Sequence, residues 1–140
     1  MEPVTLAVII LAGGLILYAI MKSKTSISDL LQLAQNAGFQ GQDAYIAAAV
    51  ALAESGGDPK AYNPEITVNT PAGMGSYGLW QIYLKAHPEF TGVDLYDPQE
   101  NANAAFSIFS NAGNSFHPWS TFKSGKYQAY LPGGFEGSNA

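Results

Sequence analysis

Residues 42–55 read Gln-Asp-Ala-Tyr-Ile-Ala-Ala-Ala-Val-Ala-Leu-Ala-Glu-Ser. The apolar residues of this stretch wrap most of the circumference of a helix, which is typical of a helix buried on nearly all sides. Its alanines matter because small side chains let neighbouring elements approach closely. The sequence therefore predicts a small, mainly helical domain built around this central helix.

Shorter elements are predicted before and after the central helix from capping residues, glycines and prolines. They are a helix over 29–36 with Ser28 as its N-cap, a short hairpin around 66–68, a helix that begins at Asp97-Pro98 and ends by Gly113, and a last short helix over 126–131.

The N-terminal segment has a different composition, because residues 4–21 contain no charged side chain. As a helix they would span roughly 27 Å, close to the thickness of a bilayer's hydrocarbon core. We therefore expect one N-terminal transmembrane helix. A cleaved signal peptide is the alternative, although Glu2 stands where such a peptide usually carries Lys or Arg. The predicted organisation is an anchor over 1–24, one domain over 25–134 and a loose tail over 135–140.

Composition excludes several classes of function. The chain has 140 residues, a net charge of −5 and only six Lys and Arg. Nucleic acid is not an expected partner, because phosphate binding needs concentrated positive charge. There is no cysteine, which removes disulfides and thiolate metal sites. His87 and His117 lack the spacing of zinc ligands, so we expect no metal and no cofactor.

Glu54 is the candidate catalytic residue, since it closes the apolar helix. Burial and the negative end of the helix dipole both disfavour a charged carboxylate and raise its pKa. A general acid that works near neutral pH needs such a raised pKa. The alternative is a helix-terminal glutamate that reaches solvent. Gly56 and Gly57 follow directly and would let a ligand come close to the backbone, which favours the catalytic interpretation.

Two motifs carry a family resemblance. Glu54-Ser55-Gly56-Gly57, followed by Gly75-Ser76-Tyr77-Gly78-Leu79-Trp80-Gln81-Ile82, resembles the soluble lytic transglycosylases and their goose-type lysozyme relatives, and more narrowly their phage-borne, virion-associated members. The stretches 101–106, 118–122 and 125–127 are similar to later parts of such domains. The chain departs from the family at Trp80, where a Met is usual, and in lacking the third motif, Ala-Tyr-Asn-x-Gly.

The resemblance implies an α+β lysozyme-like fold and a substrate, the glycan strands of peptidoglycan. Glu54 would be the sole acid and base, cleaving between N-acetylmuramic acid and N-acetylglucosamine with a 1,6-anhydro product. One carboxyl can serve both steps because the nucleophile belongs to the substrate, unlike in two-acid glycosidases. The residues implied in substrate binding are Ser55, Ser76, Tyr77, Gln81, Trp119 and Tyr127.

Some roles stay open on the sequence alone. Tyr127 is the first candidate for the tyrosine that orients Glu54, and Tyr130 is the second. Trp80 is either a sugar-stacking residue or part of the core. A hydrolytic lysozyme of the same fold would need a second acid, for which Glu65 and Asp58 are the candidates. A third possibility is a non-catalytic virion protein that has a structural or glycan-binding role.

The location follows from the predicted anchor and the substrate. We expect a single-pass membrane protein, in the virion membrane of a phage or in a bacterial inner membrane facing the periplasm, with other virion or envelope proteins as further candidate partners. Lys22 and Lys24 follow the apolar residues 4–21, and Glu2 precedes them. By the positive-inside tendency these charges favour a cytoplasmic domain, on the opposite side from the peptidoglycan.

Overall fold

The structure is a computed structural model that describes residues 5–10, 16–21 and 24–133, with side chains from residue 24 onward. Its helices and strands follow in chain order. They are β1 (Thr5–Ile10), β2 (Ile16–Met21), α1 (Ile27–Ala37), α2 (Gln42–Ser55), β3 (Tyr62–Asn63), β4 (Ser76–Tyr77), β5 (Ile82–Tyr83), α3 (Pro98–Asn111) and α4 (Ser120–Lys123), with short 3₁₀ turns at Ile66–Val68, Pro88–Phe90 and Lys126–Tyr130.

The central helix predicted over 42–55 is confirmed as α2. Residues 46–51 are all buried, so the helix has no solvent face through its middle. The helix α1 packs against both α2 and α3, and the 3₁₀ turn Lys126–Tyr130 packs against α2. The alanines of α2 allow these close approaches. The fold is thus mainly helical with a small sheet, as expected for a lysozyme-like α+β domain.

The outer helices differ from the predictions in detail. The helix α1 begins at Ile27, and its N-cap is Ser26 rather than the predicted Ser28. The Ser26 hydroxyl accepts a hydrogen bond from the backbone N–H of Asp29 at 3.1 Å, which is the bond that an N-cap makes. The helix predicted from Asp97-Pro98 is confirmed as α3, with Asp97 as its N-cap.

The small sheet does not lie where the sequence predicted it. Strands β3, β4 and β5 form an antiparallel sheet in that order, and Tyr62 pairs with Tyr77, which pairs with Ile82. The hairpin predicted around 66–68 is wrong, because these residues form a 3₁₀ turn in which Ile66 is 75% exposed. The apolar residues of this turn do not face the core, so their hydrophobicity misled the prediction.

The N-terminal segment also differs from the prediction. Over the described residues, the single helix expected in 4–21 is replaced by β1 and β2, which pair antiparallel with Thr5 opposite Met21. A continuous apolar run does not separate a helix from a strand by its periodicity, and this one is rich in Ile and Val, which favour strands. Among the helices that the structure describes, none is long and apolar enough to cross a bilayer. The predicted tail over 135–140 lies outside the described residues.

Candidate active site

A cleft of about 200 Å³ opens at the C-terminal end of α2. Its lining residues come from the end of α2, from α3, from α4 and the residues before it, and from the small sheet and its loops. The residues that line it are Glu54, Glu65, Ser76, Gln81, Ile82, Tyr83, His87, Ile108, Pro118, Trp119, Ser120 and Lys123.

Glu54 is held at this cleft by the way α2 ends. Gly56 adopts the left-handed conformation, φ 65° and ψ 16°, and its N–H donates to the Leu52 carbonyl at 2.8 Å. The Ser55 hydroxyl donates to the Ala51 carbonyl at 2.9 Å and accepts from the Gly57 N–H at 3.1 Å. Ser55 thus closes the last turn of the helix and is not among the residues that line the cleft.

The Glu54 carboxyl is half-buried, and burial raises its pKa above the usual value. The nearby charge of Glu65 raises this pKa further. Three effects oppose the rise. The Thr121 hydroxyl donates to Glu54 Oε2 at 2.7 Å, the Thr121 backbone also hydrogen-bonds to the carboxyl, and Lys126 adds a positive charge. Burial is the largest of these effects, so the carboxyl keeps its proton to higher pH than an exposed glutamate does.

Glu65 is the second carboxyl in the cleft. It accepts a hydrogen bond from the Ser76 hydroxyl at 2.7 Å. Its backbone has a φ of 54°, which is uncommon for a residue other than glycine. Asp58, the other acid considered for a second role, does not line the cleft; its carboxylate accepts from the backbone N–H of Lys60 at 2.9 Å.

Gln81 lies on the sheet side of the cleft in a constrained loop. Its φ is 48°, and its side-chain amide donates to the carbonyls of Gly78 at 3.0 Å and Ala61 at 3.3 Å. These bonds orient the amide within the loop. Gln81, Ser76 and Trp119 are therefore the predicted substrate-binding residues that the structure brings together with Glu54.

Two tryptophans connect the cleft to the core. Trp80 is 0% exposed, and its indole N–H donates to the Ala47 carbonyl of α2 at 2.9 Å. Trp119 lines the cleft, and its indole N–H donates to the Trp80 carbonyl at 2.9 Å. Of the two roles considered for Trp80, the structure supports that of a core residue.

Tyr77 and Tyr127 lie away from the cleft. The Tyr77 hydroxyl donates to the Gly73 carbonyl at 2.6 Å, and its ring faces Tyr62 and Tyr96. Tyr127 is buried and stacks on Phe122 with ring centres 4.9 Å apart. Neither lines the Glu54 cleft. The second candidate for orienting Glu54, Tyr130, is 43% exposed.

Sequence reasoning missed Asn101 and the role of Thr121. Asn101 is fully buried: its amide donates to the carbonyls of Tyr77 and Leu95, both at 2.8 Å, and its oxygen accepts from the Trp80 N–H at 2.8 Å. It ties the sheet and the following loop to α3. A buried asparagine on an apolar helix face is a signal that could have been used, since such a group needs partners.

Within residues 24–133, no group of three or more His, Cys, Asp and Glu side chains is arranged to hold a metal ion. His87 lines the cleft, and its ring lies 3.7 Å from the carboxylate of the exposed Glu89. The polar side-chain groups of the residues that line the cleft are carboxyl, hydroxyl, amide, imidazole, indole and, at Lys123, amino groups.

Glu54, whose pKa burial raises, stands at the end of a buried helix in a cleft that the small antiparallel sheet also lines, as expected for the lysozyme-like class that the motifs resemble. A family model described as a lysozyme like domain matches residues 31–121, and the chain belongs to this family. The match supports a peptidoglycan-degrading enzyme and applies equally to lytic transglycosylases and to hydrolases. No curated protein and no solved structure matched the chain.

Proposed function

We propose that the protein is a peptidoglycan lytic transglycosylase in which Glu54 is both general acid and general base. The observation that carries the proposal is the half-buried Glu54 carboxyl, which lines the cleft and whose pKa burial raises. A carboxyl that is protonated in the free enzyme can donate to the oxygen of a glycosidic bond.

The reaction proceeds in two proton transfers. Glu54 first gives its proton to the glycosidic oxygen while the bond from that oxygen to C1 of the muramoyl residue breaks and positive charge develops on the ring. The muramoyl 6-hydroxyl then attacks C1, and the Glu54 carboxylate takes up the hydroxyl proton. The products are a 1,6-anhydromuramoyl end and an N-acetylglucosamine with a free 4-hydroxyl. Water is not consumed, and Glu54 ends protonated.

The remaining cleft residues would bind the glycan. Gln81 offers its side-chain oxygen, Ser76 its hydroxyl and Trp119 its aromatic ring, and of these residues Ser76 and Trp119 are only 4% and 5% exposed. The roles predicted for Ser55, Tyr77 and Tyr127 rest on the family resemblance alone, because these side chains do not line the cleft.

The test is the replacement of Glu54 by Gln, with mass spectrometry of the fragments released from peptidoglycan. Glu54→Gln removes the transferable proton at nearly constant volume, so we expect turnover to fall by at least about a thousandfold and the fold to be retained. The wild type should release anhydromuramoyl ends. Glu100→Gln, at an exposed carboxyl of α3 outside the cleft, is the control and should stay active. Wild-type turnover in Glu54→Gln would refute the proposal.

A hydrolytic lysozyme is the second candidate, and the presence of Glu65 in the same cleft favours it over a non-catalytic role. A hydrolase needs a carboxylate that holds and activates water, and Glu65 is the acid available for this role. In this case reducing ends would appear in place of anhydro ends, and Glu65→Gln would lose most activity. If the enzyme is a transglycosylase, Glu65→Gln should keep most of its activity. No cleavage by the wild type would favour a non-catalytic glycan-binding protein.

The proposal includes attachment to a membrane, in a phage virion or at the bacterial inner membrane, where the enzyme would open the wall locally or during phage entry. The uncharged composition of residues 4–21 supports the membrane, and the resemblance to virion-associated members supports the phage. The membrane part of the proposal rests on this composition alone.

A further inference from the structure

The contact between Thr121 and Glu54 joins two parts of the chain that are 67 residues apart. Thr121 belongs to α4, a four-residue helix, and its hydroxyl donates to Glu54 Oε2 at 2.7 Å. A distance of 2.7 Å lies within the range of O–H···O hydrogen bonds to a neutral carboxyl as well as to a carboxylate.

The position of Thr121 is determined by the two tryptophans described above. Trp80 is bonded to the Ala47 carbonyl in the middle of α2, and Trp119 is bonded in turn to the Trp80 carbonyl. Trp119 is the residue directly before α4, and its own carbonyl accepts from the N–H groups of Phe122 and Lys123. These hydrogen bonds link the middle of α2 to Trp80, Trp80 to Trp119, and Trp119 to the backbone of α4. The Thr121 hydroxyl of α4 then bonds to Glu54 at the end of α2. Thr121 is held in place relative to the helix that carries its partner.

We propose that Thr121 is a positioning residue of the active site. Its hydroxyl stays hydrogen-bonded to Glu54 Oε2, so that Oε1 is the oxygen that carries the proton in both steps. This inference rests on the proposed function. It gives to a threonine of α4 the task for which Tyr127 was the first candidate and Tyr130 the second; Tyr127 stacks on Phe122 and does not line the cleft.

The arrangement suits a group that must act as acid and then as base. While Glu54 is protonated on Oε1, Oε2 is a carbonyl-type oxygen and accepts from Thr121. When Oε1 has given its proton to the glycosidic oxygen, the same hydroxyl stabilises the carboxylate. Oε1 then takes the proton of the 6-hydroxyl. The hydrogen bond from Thr121 stays in place throughout, so the carboxyl does not have to rotate between the steps.

The test compares Thr121→Val, which removes the hydroxyl at nearly constant shape, with Thr121→Ser, which keeps it. Thr91→Val is the matched control, because it removes an exposed hydroxyl outside the cleft. In Thr121→Val we expect kcat to fall by about 10- to 100-fold, the range of a lost hydrogen bond to a charged group, with KM changed less than threefold. Thr121→Ser should stay within about fivefold of wild type by the same reasoning.

The pH dependence separates a positioning role from a merely structural one. The Thr121 hydroxyl favours the ionised carboxyl and lowers its pKa, so its removal should raise the pKa of Glu54. Because Glu54 must be protonated to act as the acid, the alkaline limb of kcat/KM should move to higher pH in Thr121→Val and not in Thr91→Val.

A titration of the ¹³C-labelled Glu54 carboxyl by NMR measures the same shift without any turnover. An unchanged Glu54 pKa in folded Thr121→Val would overturn the inference, and so would a loss in Thr121→Ser equal to that in Thr121→Val. If the wild type cleaves no peptidoglycan, the proposed function fails, and with it the acid–base role of Oε1. A shifted titration in that case would still establish the hydrogen bond from Thr121.

Discussion

At the scale of single residues, opposing effects act on the pKa of one carboxyl in the cleft, that of Glu54. Burial and Glu65 favour the protonated form of Glu54, while Thr121 and Lys126 favour the ionised form. The opposing effects suit a residue that gives up a proton and takes one back.

The raised pKa of Glu54 also predicts a cost in stability. Because its pKa is higher in the folded state than the ordinary 4.5, the folded protein binds more protons than the unfolded chain between these two values. The free energy of unfolding therefore decreases as pH rises through this window, and the decrease is complete above the folded pKa. Below about 4.5 the penalty is absent.

Glu54→Gln removes this penalty, because a neutral amide replaces the buried charge. We expect the variant to have a higher Tm than the wild type at pH 7, with the gap closing as the pH is lowered toward the ordinary pKa of glutamate. Thermal unfolding followed by circular dichroism across this pH range measures the effect. A variant that is less stable than the wild type at pH 7 would contradict the burial argument.

At the scale of elements, the loop between β4 and β5 requires a glycine at one position. Gly78 has a φ of 74°, and a Cβ built there would collide with the Asn101 amide and the Leu95 carbonyl. The same Asn101 amide donates to the carbonyls of Tyr77, the residue before the glycine, and of Leu95. Close approach of the loop to α3 is thus what brings Gln81 and Ser76 to the cleft.

We predict that Gly78→Ala destabilises the protein more than Gly92→Ala does. Gly92 has a similar φ of 90°, and a Cβ built there has no atom within 4 Å. The loss of stability in Gly92→Ala therefore measures backbone strain alone, about 1–2 kcal/mol. At Gly78 the collision adds an overpacking cost of roughly 1–3 kcal/mol to that strain, so the total loss should be about 2–5 kcal/mol. Denaturant unfolding of the two variants gives the comparison, and equal losses would show that the loop moves away freely.

At the scale of the whole molecule, the cleft lies within residues 24–133, and the apolar segment precedes them. Thr25 joins the domain through its backbone N–H, which donates to the Gly57 carbonyl at 2.7 Å beside the end of α2. The division between an N-terminal segment and a catalytic domain, predicted at residue 24, stays a prediction. A cut directly before Lys24 keeps the Thr25 bond intact.

A chain that begins at Lys24 tests this division together with the membrane proposal. In flotation with phospholipid vesicles, the full chain should rise with the lipid, and the shortened chain should stay in the dense fraction. Both should unfold with the same Tm in detergent and release the same fragments from peptidoglycan. Equal flotation of the two chains would mean that the domain itself binds lipid, and loss of folding in the shortened chain would contradict the predicted boundary.

The sequence by itself determined the buried helix over 42–55, the glycines after it and Glu54 at its end, because helical periodicity and end signals act over a few residues. It did not separate helix from strand in 4–21, where a run that is apolar throughout has no informative period. Only the tertiary structure decided that Thr121 contacts Glu54, that Glu65 enters the cleft and that Trp80 belongs to the core. Such contacts join residues far apart in the chain, and they depend on how every element packs.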